Sequence, residues 1–97
     1  MTPDDLRAIR EFLAQRVHLR AADPVEITFD APTADEMIAA GLDAEGCRQV
    51  LEAPWWDEMV TDIVETPQMC EADEGPEQVL SYARDVVDEY MRKRVAL

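Results

Sequence analysis

The chain of 97 residues contains 22 Asp and Glu residues against nine Lys and Arg residues, which gives a net charge of −13 at neutral pH. This length suits one domain with a single core, and the apolar fraction of 47% argues against global disorder. An acidic surface repels nucleic acid phosphates and anionic lipid, so we expect no direct binding to either.

The length of the apolar runs and the spacing of the cysteines indicate the cellular location to expect. The runs are only a few residues long, far short of the roughly 20 that a membrane-spanning helix needs. Residues 1–20 carry four arginines and no apolar stretch, unlike a secretory signal. Cys47 and Cys70 match neither CxxC nor a metal-ligand spacing, and reduced, partly buried thiols are typical of reducing compartments. We therefore expect a soluble, cytoplasmic protein, with a disulfide or redox role of the cysteines as the alternative.

The negative charge is concentrated in the middle of the chain. Residues 21–83 contain sixteen acidic residues and one cation, Arg48, whereas residues 1–20 and 84–97 each have a net charge of +1. A negative middle favours a basic protein surface as partner. It would equally keep a small protein soluble, and that alternative stays open.

Helix signals begin at residue 2. Thr2 is a typical N-cap, and Pro3 suits the first helical position. Apolar residues then recur at helical spacing: Leu6, Ile9, Phe12, Leu13 and Val17. The pattern predicts a helix that ends at residues 22–24, where a proline follows alanine and aspartate.

Arg16 falls inside the apolar arc of this predicted helix. An arginine there can lay its methylenes along the core and offer its guanidinium to a carboxylate. We therefore expect an ion pair between Arg16 and the acidic middle, either within the chain or across a dimer. A surface arginine without a specific partner is the alternative.

Residues 25–29, VEITF, alternate apolar and polar side chains with the period of a β-strand. This is the only strand candidate in the chain, and a lone strand has unpaired amides and carbonyls on both edges. Two outcomes are open. The segment is either an extended connector that packs onto the helices, or a strand that pairs with the same segment of a second subunit.

Residues 33–53, TADEMIAAGLDAEGCRQVLEA, predict two helices joined by a short turn. Thr33 and Glu36 have the spacing of a capping box, and Gly41 is a C-terminal signal. Asp43 is an N-cap for the second helix. The arrangement resembles a helix-turn-helix unit, but its second helix is acidic, whereas a recognition helix needs cations for phosphates and donors for base edges. We expect a helical hairpin without DNA binding.

Residues 52–65, EAPWWDEMVTDIVE, predict a helix divided into an apolar and an acidic half, with Pro54 interrupting the helix before it. The apolar half comprises Trp55, Trp56, Met59, Val60, Ile63 and Val64. The acidic half comprises Asp57, Glu58, Thr61, Asp62 and Glu65. An apolar half this wide exceeds what one neighbouring helix covers. It therefore either packs against two neighbours in the core or meets another chain, and tryptophan is enriched at binding hot spots.

The last third predicts a polar loop followed by one long helix. Acids in the loop, residues 68–77, do not fall at the alternate positions of a calcium loop, so we expect no metal site there. Gly75 and Pro76 start the helix, whose apolar residues recur as far as Met91. Arg94 lies within the apolar arc, so packing should stop near Met91.

No motif for catalysis is apparent. The one histidine, His18, lies on the polar side of the first predicted helix, and three glycines leave no Gly-rich phosphate loop. Carboxylate pairs such as Glu58 and Asp62 are the only groups with catalytic or metal-binding potential, and on a solvated face they merely repel each other weakly. We expect neither enzyme activity nor a cofactor.

Together these patterns predict one all-α domain over residues 1–97, with four to five short helices in a compact bundle and an extended segment at about 25–29. Our hypothesis for its function is an accessory or regulatory protein that binds a protein partner, with a basic partner favoured and a homodimer as one version. The expected binding surface consists of Trp55, Trp56, Met59, Ile63, Asp57, Glu58, Asp62 and Arg16. The alternatives are a nucleic-acid mimic that blocks a basic nucleic-acid-binding protein, and a carboxylate-based metal-binding or catalytic protein.

Overall fold

A computed structural model describes residues 2–71 and 73–95 of the protein. Its elements are α1 (Pro3–Ala14), β1 (Val17–Arg20), β2 (Glu26–Phe29), α2 (Ala34–Ala39), α3 (Ala44–Leu51), α4 (Trp56–Val64), α5 (Thr66–Met69) and α6 (Pro76–Arg94). Helices account for 62% of the structure, so the expected helical character is right for the dominant element. The described part of the chain nevertheless contains six helices and a two-stranded sheet, so the fold is not purely all-α.

The main difference from the sequence prediction is the β-hairpin. The first helix ends at Ala14, and residues 17–20 form β1, which runs antiparallel to β2 from the pair Val17–Phe29 to the pair Arg20–Glu26. The predicted strand is therefore present, and it pairs with β1 of the same chain, not with a second subunit. It also packs onto α4 and α5, as the alternative of a connector on the helices expected. Residues 17–20 alternate apolar and polar side chains, which suits a half-buried strand once a partner strand is available.

Three helix starts agree with the capping signals. The side chains of Thr2 and Thr33 each accept a hydrogen bond in a complete capping box, and Asp43 Oδ2 accepts from the Gly46 amide at 2.8 Å. Gly41 has a φ of 92°, the left-handed conformation that a glycine after a helix adopts without strain. The predicted helical hairpin of residues 33–53 is thus present as α2 and α3.

The core lies where α6 meets the other long elements. Helix α6 packs against α1, α4 and β1, while α4 also packs against β2, and α3 joins α2 to α1. The side chains with no exposed surface are Ile9, Leu13, Val17, Met37, Cys47, Val50, Met59, Ile63, Ala83, Val87 and Met91. As expected from the sequence, Met91 is the last buried residue of α6, and the Arg94 guanidinium stacks over the Tyr90 ring at 5.2 Å.

Arg84 of α6 ties the first helix to the hairpin. Its Nε donates to the carbonyl of Ala14 at 3.1 Å, and its guanidinium also donates to the carbonyl of Val17 at 3.4 Å. These carbonyls belong to the last turn of α1 and to the outer side of β1, so both would otherwise lack a protein donor at that point. One α6 side chain therefore bonds a carbonyl of α1 and a carbonyl of β1.

A second difference concerns the segment that was expected to be a polar loop from residue 68 onward. Residues 66–69 form the short helix α5, which has Pro67 in its first turn and packs against α4, α6 and β2. No helix within residues 2–71 and 73–95 has the length and apolar character needed to cross a bilayer.

Replacement of the α3 cap tests the local basis of the fold. Asp43→Ala removes the acceptor of the Gly46 amide, so we expect the free energy of unfolding in urea to fall by about 1 kcal/mol. Asp85→Ala removes the same charge from an exposed position in the middle of α6 and should not lower it. Equal losses in the two variants would show that charge, not capping, is responsible.

Candidate protein-binding surface

The apolar half of α4 is divided between the core and the surface. Met59 and Ile63 have no exposed surface, and Trp55, which precedes the helix, is 8% exposed. Trp55 stacks near Tyr90 of α6, with ring centroids 5.9 Å apart. These three side chains were expected at a partner or dimer surface, or alternatively in the core, and the structure places them in the core.

Trp56 lies between the helices and the hairpin. Its ring is half-buried, and its centroid is 5.9 Å from that of Phe29 on β2, with the two planes tilted by 57°. The packing of two neighbours, α6 through Trp55 and β2 through Trp56, accounts for the width of the apolar half. Of the two tryptophans, Trp56 therefore offers a partner more surface than the 8% exposed Trp55.

The three predicted carboxylates have different surroundings. Asp57 and Glu58 are exposed in the first turn of α4, and Glu58 lies 3.9 Å from the Arg94 guanidinium. Asp62 is half-buried and accepts a hydrogen bond from the Tyr90 hydroxyl. Burial, followed by this bond to Asp62, raises the pKa of Tyr90. Asp62 therefore holds α4 to α6, and the two exposed acids remain on the surface.

Arg16 forms the ion pair that the sequence predicted, and it does so within the chain. Its guanidinium lies 3.0 Å from Asp30 and 2.9 Å from Glu36, and it stacks over Phe12 at 4.9 Å. The hydrogen bond with Arg16 holds the pKa of Glu36 below its usual value, and the same bond raises the pKa of Arg16. Because its donors are engaged, Arg16 clamps the end of the hairpin onto α2 and is separate from the α4 surface.

The exposed apolar side chains lie elsewhere than expected. Val64 at the end of α4 is 45% exposed, Met69 at the end of α5 is 81% exposed, and Tyr82 of α6 is 40% exposed. Val64 belonged to the predicted apolar half, at its margin, whereas Met69 was assigned to a loop. Pro67 was the sequence signal that could have placed Met69 on a helix, because proline suits the first turn of a helix. Ile38, 36% exposed, lies apart from these on α2.

Two grooves flank these side chains. The α5–α6 groove has a volume of about 410 Å³ and is lined by Asp62, Thr66, Met69, Cys70, Tyr82, Val86, Glu89, Tyr90, Lys93 and Arg94. The β2 groove has a volume of about 510 Å³ and is lined by Pro24, Val25, Glu26, Ile27, Thr28, Val64, Pro67 and Gln68. Between them, the end of α4 and the whole of α5 form a ridge that carries the exposed Val64 and Met69.

The acids near this ridge are largely unpaired. Among the described residues, Asp57 and Glu65 take part in no ion pair, although both are exposed on α4 or directly after it. In contrast, acids at the two ends of the chain pair with nearby cations, as Asp88 does with Arg10 at 2.9 Å. We call the exposed surface of Asp57, Val64, Glu65 and Met69 the acidic ridge.

The other reactive groups of the described residues do not form a chemical site. Both cysteines are free, and burial raises the pKa of each thiol, so both are protonated at neutral pH. The Cys70 thiol donates to the carbonyl of Thr66 at 3.3 Å. His18 lies exposed on β1, not on a helix. No three His, Cys, Asp or Glu side chains within residues 2–71 and 73–95 are placed to share a metal ion.

Comparison of the chain with protein-family models, curated proteins and solved structures gives no match.

The two tryptophans should differ in their access to solvent. In the Trp56→Phe variant, emission comes from the buried Trp55, so we expect a blue-shifted spectrum that acrylamide quenches weakly. In Trp55→Phe, the half-buried Trp56 should emit at longer wavelength and be quenched more strongly. Circular dichroism would check that both variants are folded, and equal quenching in the folded variants would contradict the placement of the rings.

The bond from Tyr90 to Asp62 predicts a loss of stability in alkali. Tyrosines of the unfolded chain ionise near pH 10, whereas Tyr90 in the folded protein keeps its proton to higher pH. The folded state therefore binds more protons above pH 10, and the free energy of unfolding should fall as pH rises further. Urea unfolding between pH 9 and 11 measures this slope.

Tyr90→Phe provides the test of that assignment, and Tyr82→Phe is its control. The Tyr90 variant should lose most of the alkaline slope, although its stability at pH 7 also falls because Asp62 loses a donor. Tyr82→Phe removes an exposed hydroxyl and should retain the slope. A slope that persists in Tyr90→Phe would place the responsible group elsewhere.

Proposed function

We propose that the protein is a small accessory or regulatory protein that acts by binding a basic protein partner and has no catalytic activity of its own. The observation that supports this most directly is the acidic ridge, where Val64 and Met69 on one hand and the unpaired acids Asp57 and Glu65 on the other are exposed along α4 and α5. Apolar side chains supply contact area, and charged neighbours select the partner and speed its approach.

The charge distribution favours a cationic partner. Arg48 is the only cation among residues 21–83, so the acids of the ridge and of the loop after it find few counterparts in their own chain. Cations on a partner would complete these pairs. Attraction of this kind raises the association rate and weakens as salt screens it over about 10 Å at 0.1 M.

Self-association and location are part of the same proposal. Two copies would each carry a charge of −13, so the ridge suits a different, basic protein better than a second copy. A cytoplasmic location agrees with two thiols that are free and protonated. Dimerisation through another surface stays a subsidiary part of the hypothesis.

A matched pair of charge variants tests the ridge. Asp57→Asn with Glu65→Lys adds three positive charges, one from the amide and two from the lysine. Glu11→Lys with Asp85→Asn adds the same charge on α1 and α6. Tagged versions of both and of the unchanged protein would capture partners from the native cell at low and high salt, with quantification by mass spectrometry.

We expect a partner that the unchanged protein and the α1/α6 control retain at low salt, and that the ridge variant loses at least several-fold. High salt should reduce all three to a similar level. Equal retention by the two double variants, or capture that does not respond to salt, would contradict the proposal. Release of the partner by added nucleic acid would instead support the mimic hypothesis.

A further inference from the structure

The α5–α6 groove is open to solvent and has the size of a small-molecule site. Its α6 side includes residues that recur at three- and four-residue intervals and so share one face of the helix: Tyr82, Val86, Tyr90 and Lys93. Its volume of about 410 Å³ lies within the range of about 300–1,000 Å³ that is typical of ligand pockets. The lining side chain of Met69 is 81% exposed and that of Arg94 is 48% exposed, so a ligand can reach the groove from solvent.

Several polar groups of this groove already have partners within the protein. The Thr66 hydroxyl donates to the carbonyl of Asp62 at 3.0 Å, and the Cys70 thiol donates to the carbonyl of Thr66 at 3.3 Å. The Tyr90 hydroxyl donates to the Asp62 carboxylate. A buried polar group is costly only when it loses its partner. An apolar ligand can therefore cover these side chains without leaving their donors unsatisfied.

Arg94 differs from the other charged groups of the lining. Lys93 and Glu89 pair at 2.7 Å, whereas no hydrogen bond within residues 2–71 and 73–95 engages the Arg94 guanidinium. Its ion pair with Glu58 is 3.9 Å long and exposed, so the pair is weak and exchangeable. The guanidinium stacks over the Tyr90 ring at 5.2 Å. This stacking positions Arg94 at one end of the groove and leaves its N–H donors available.

These features favour one chemical class of ligand. A planar guanidinium with available donors matches a carboxylate, which can accept two parallel N–H bonds from it. A cationic head group at that end would instead meet both Arg94 and Lys93. The two acids of the lining attract a cation less, because each already has a partner. Further along, Met69, Val86 and the Tyr82 ring provide apolar surface for the body of the ligand.

We propose that the α5–α6 groove binds a small amphipathic monocarboxylate. Its carboxylate accepts hydrogen bonds from Arg94, and its apolar chain lies along α6 towards Tyr82, an interval of about 18 Å on the helix. This site goes beyond the proposed function, since it needs no protein partner. It shares one side chain, Met69, with the acidic ridge, and its charge-selecting residue, Arg94, lies outside the ridge.

Three probes with the same eight-carbon chain test the head group: octanoate, octan-1-ol and octylammonium. Each is titrated into ¹⁵N-labelled protein below the concentration at which it forms micelles. We expect octanoate to bind at least several-fold more tightly than the other two and to shift the amide signals of Thr66, Cys70 and Val86. The net charge of −13 repels octanoate and attracts octylammonium, so this preference could not come from the overall charge of the protein.

Two glutamine variants locate the carboxylate. Arg94→Gln removes the guanidinium, so binding of octanoate should weaken about tenfold while binding of octan-1-ol stays unchanged. Arg92→Gln removes the same charge from an exposed position of α6 that does not line this groove, and it should bind octanoate nearly as the unchanged protein does. Circular dichroism would check that both variants are folded.

The other results would overturn the carboxylate proposal. Equal affinity for the three probes would mean apolar adsorption without a head-group site, and tighter binding of octylammonium would mean attraction by the net charge. Equal losses in the two variants would show that Arg94 has no special role. All these titrations use the isolated protein. Their failure would therefore leave the proposed function intact, and failure of partner capture would leave this site intact.

Discussion

The burial of one row of side chains, Trp55, Met59 and Ile63, determines how the rest of the molecule is arranged. This row packs α4 against α6, while Trp56 on the adjoining side meets Phe29 of the hairpin. A small domain has few side chains to bury, and a helix wedged between two neighbours uses nearly all its apolar width. What α4 leaves outside is the acidic side and its C-terminal margin, so packing itself defines the acidic ridge.

The fold tolerates its net negative charge because ion pairs are concentrated at the two ends of the chain and at the turns between elements. Arg16 joins the hairpin to α2 through Asp30 and Glu36, and Arg10 joins α1 to Asp88 of α6. Exposed pairs of this kind contribute little stability individually, but they remove like-charge repulsion from the junctions between elements. Few cations remain for the acids of residues 43–77, and Asp57 and Glu65 pair with none among the described residues.

Capping signals and helical periodicity, which are local in sequence, predicted the helices well. The hairpin was missed because it depends on the pairing of two strands, which is non-local. The caps at Thr33 and Asp43 depend on residues within one turn, and those helices begin where expected. Val17 fits the period of a helix, because it follows Leu13 at helical spacing, and it also fits the alternation of a strand in β1. Its pairing with Phe29 decides between the two. The apolar half of α4 was likewise predictable, but the groups that cover it were not, because they come from α6 and β2.

The hairpin is asymmetric, and this asymmetry follows from which helix lies beside each strand. Helix α6 adjoins β1 and brings Arg84, a side chain long enough to reach the carbonyls at its edge. The end of α4 and α5 adjoin β2, and there they bring Val64, Pro67 and Gln68, of which the first two have no donor for a carbonyl. A two-stranded sheet is marginal by itself, so the packing of β1 against α6 and of β2 against α4 and α5 stabilises the hairpin.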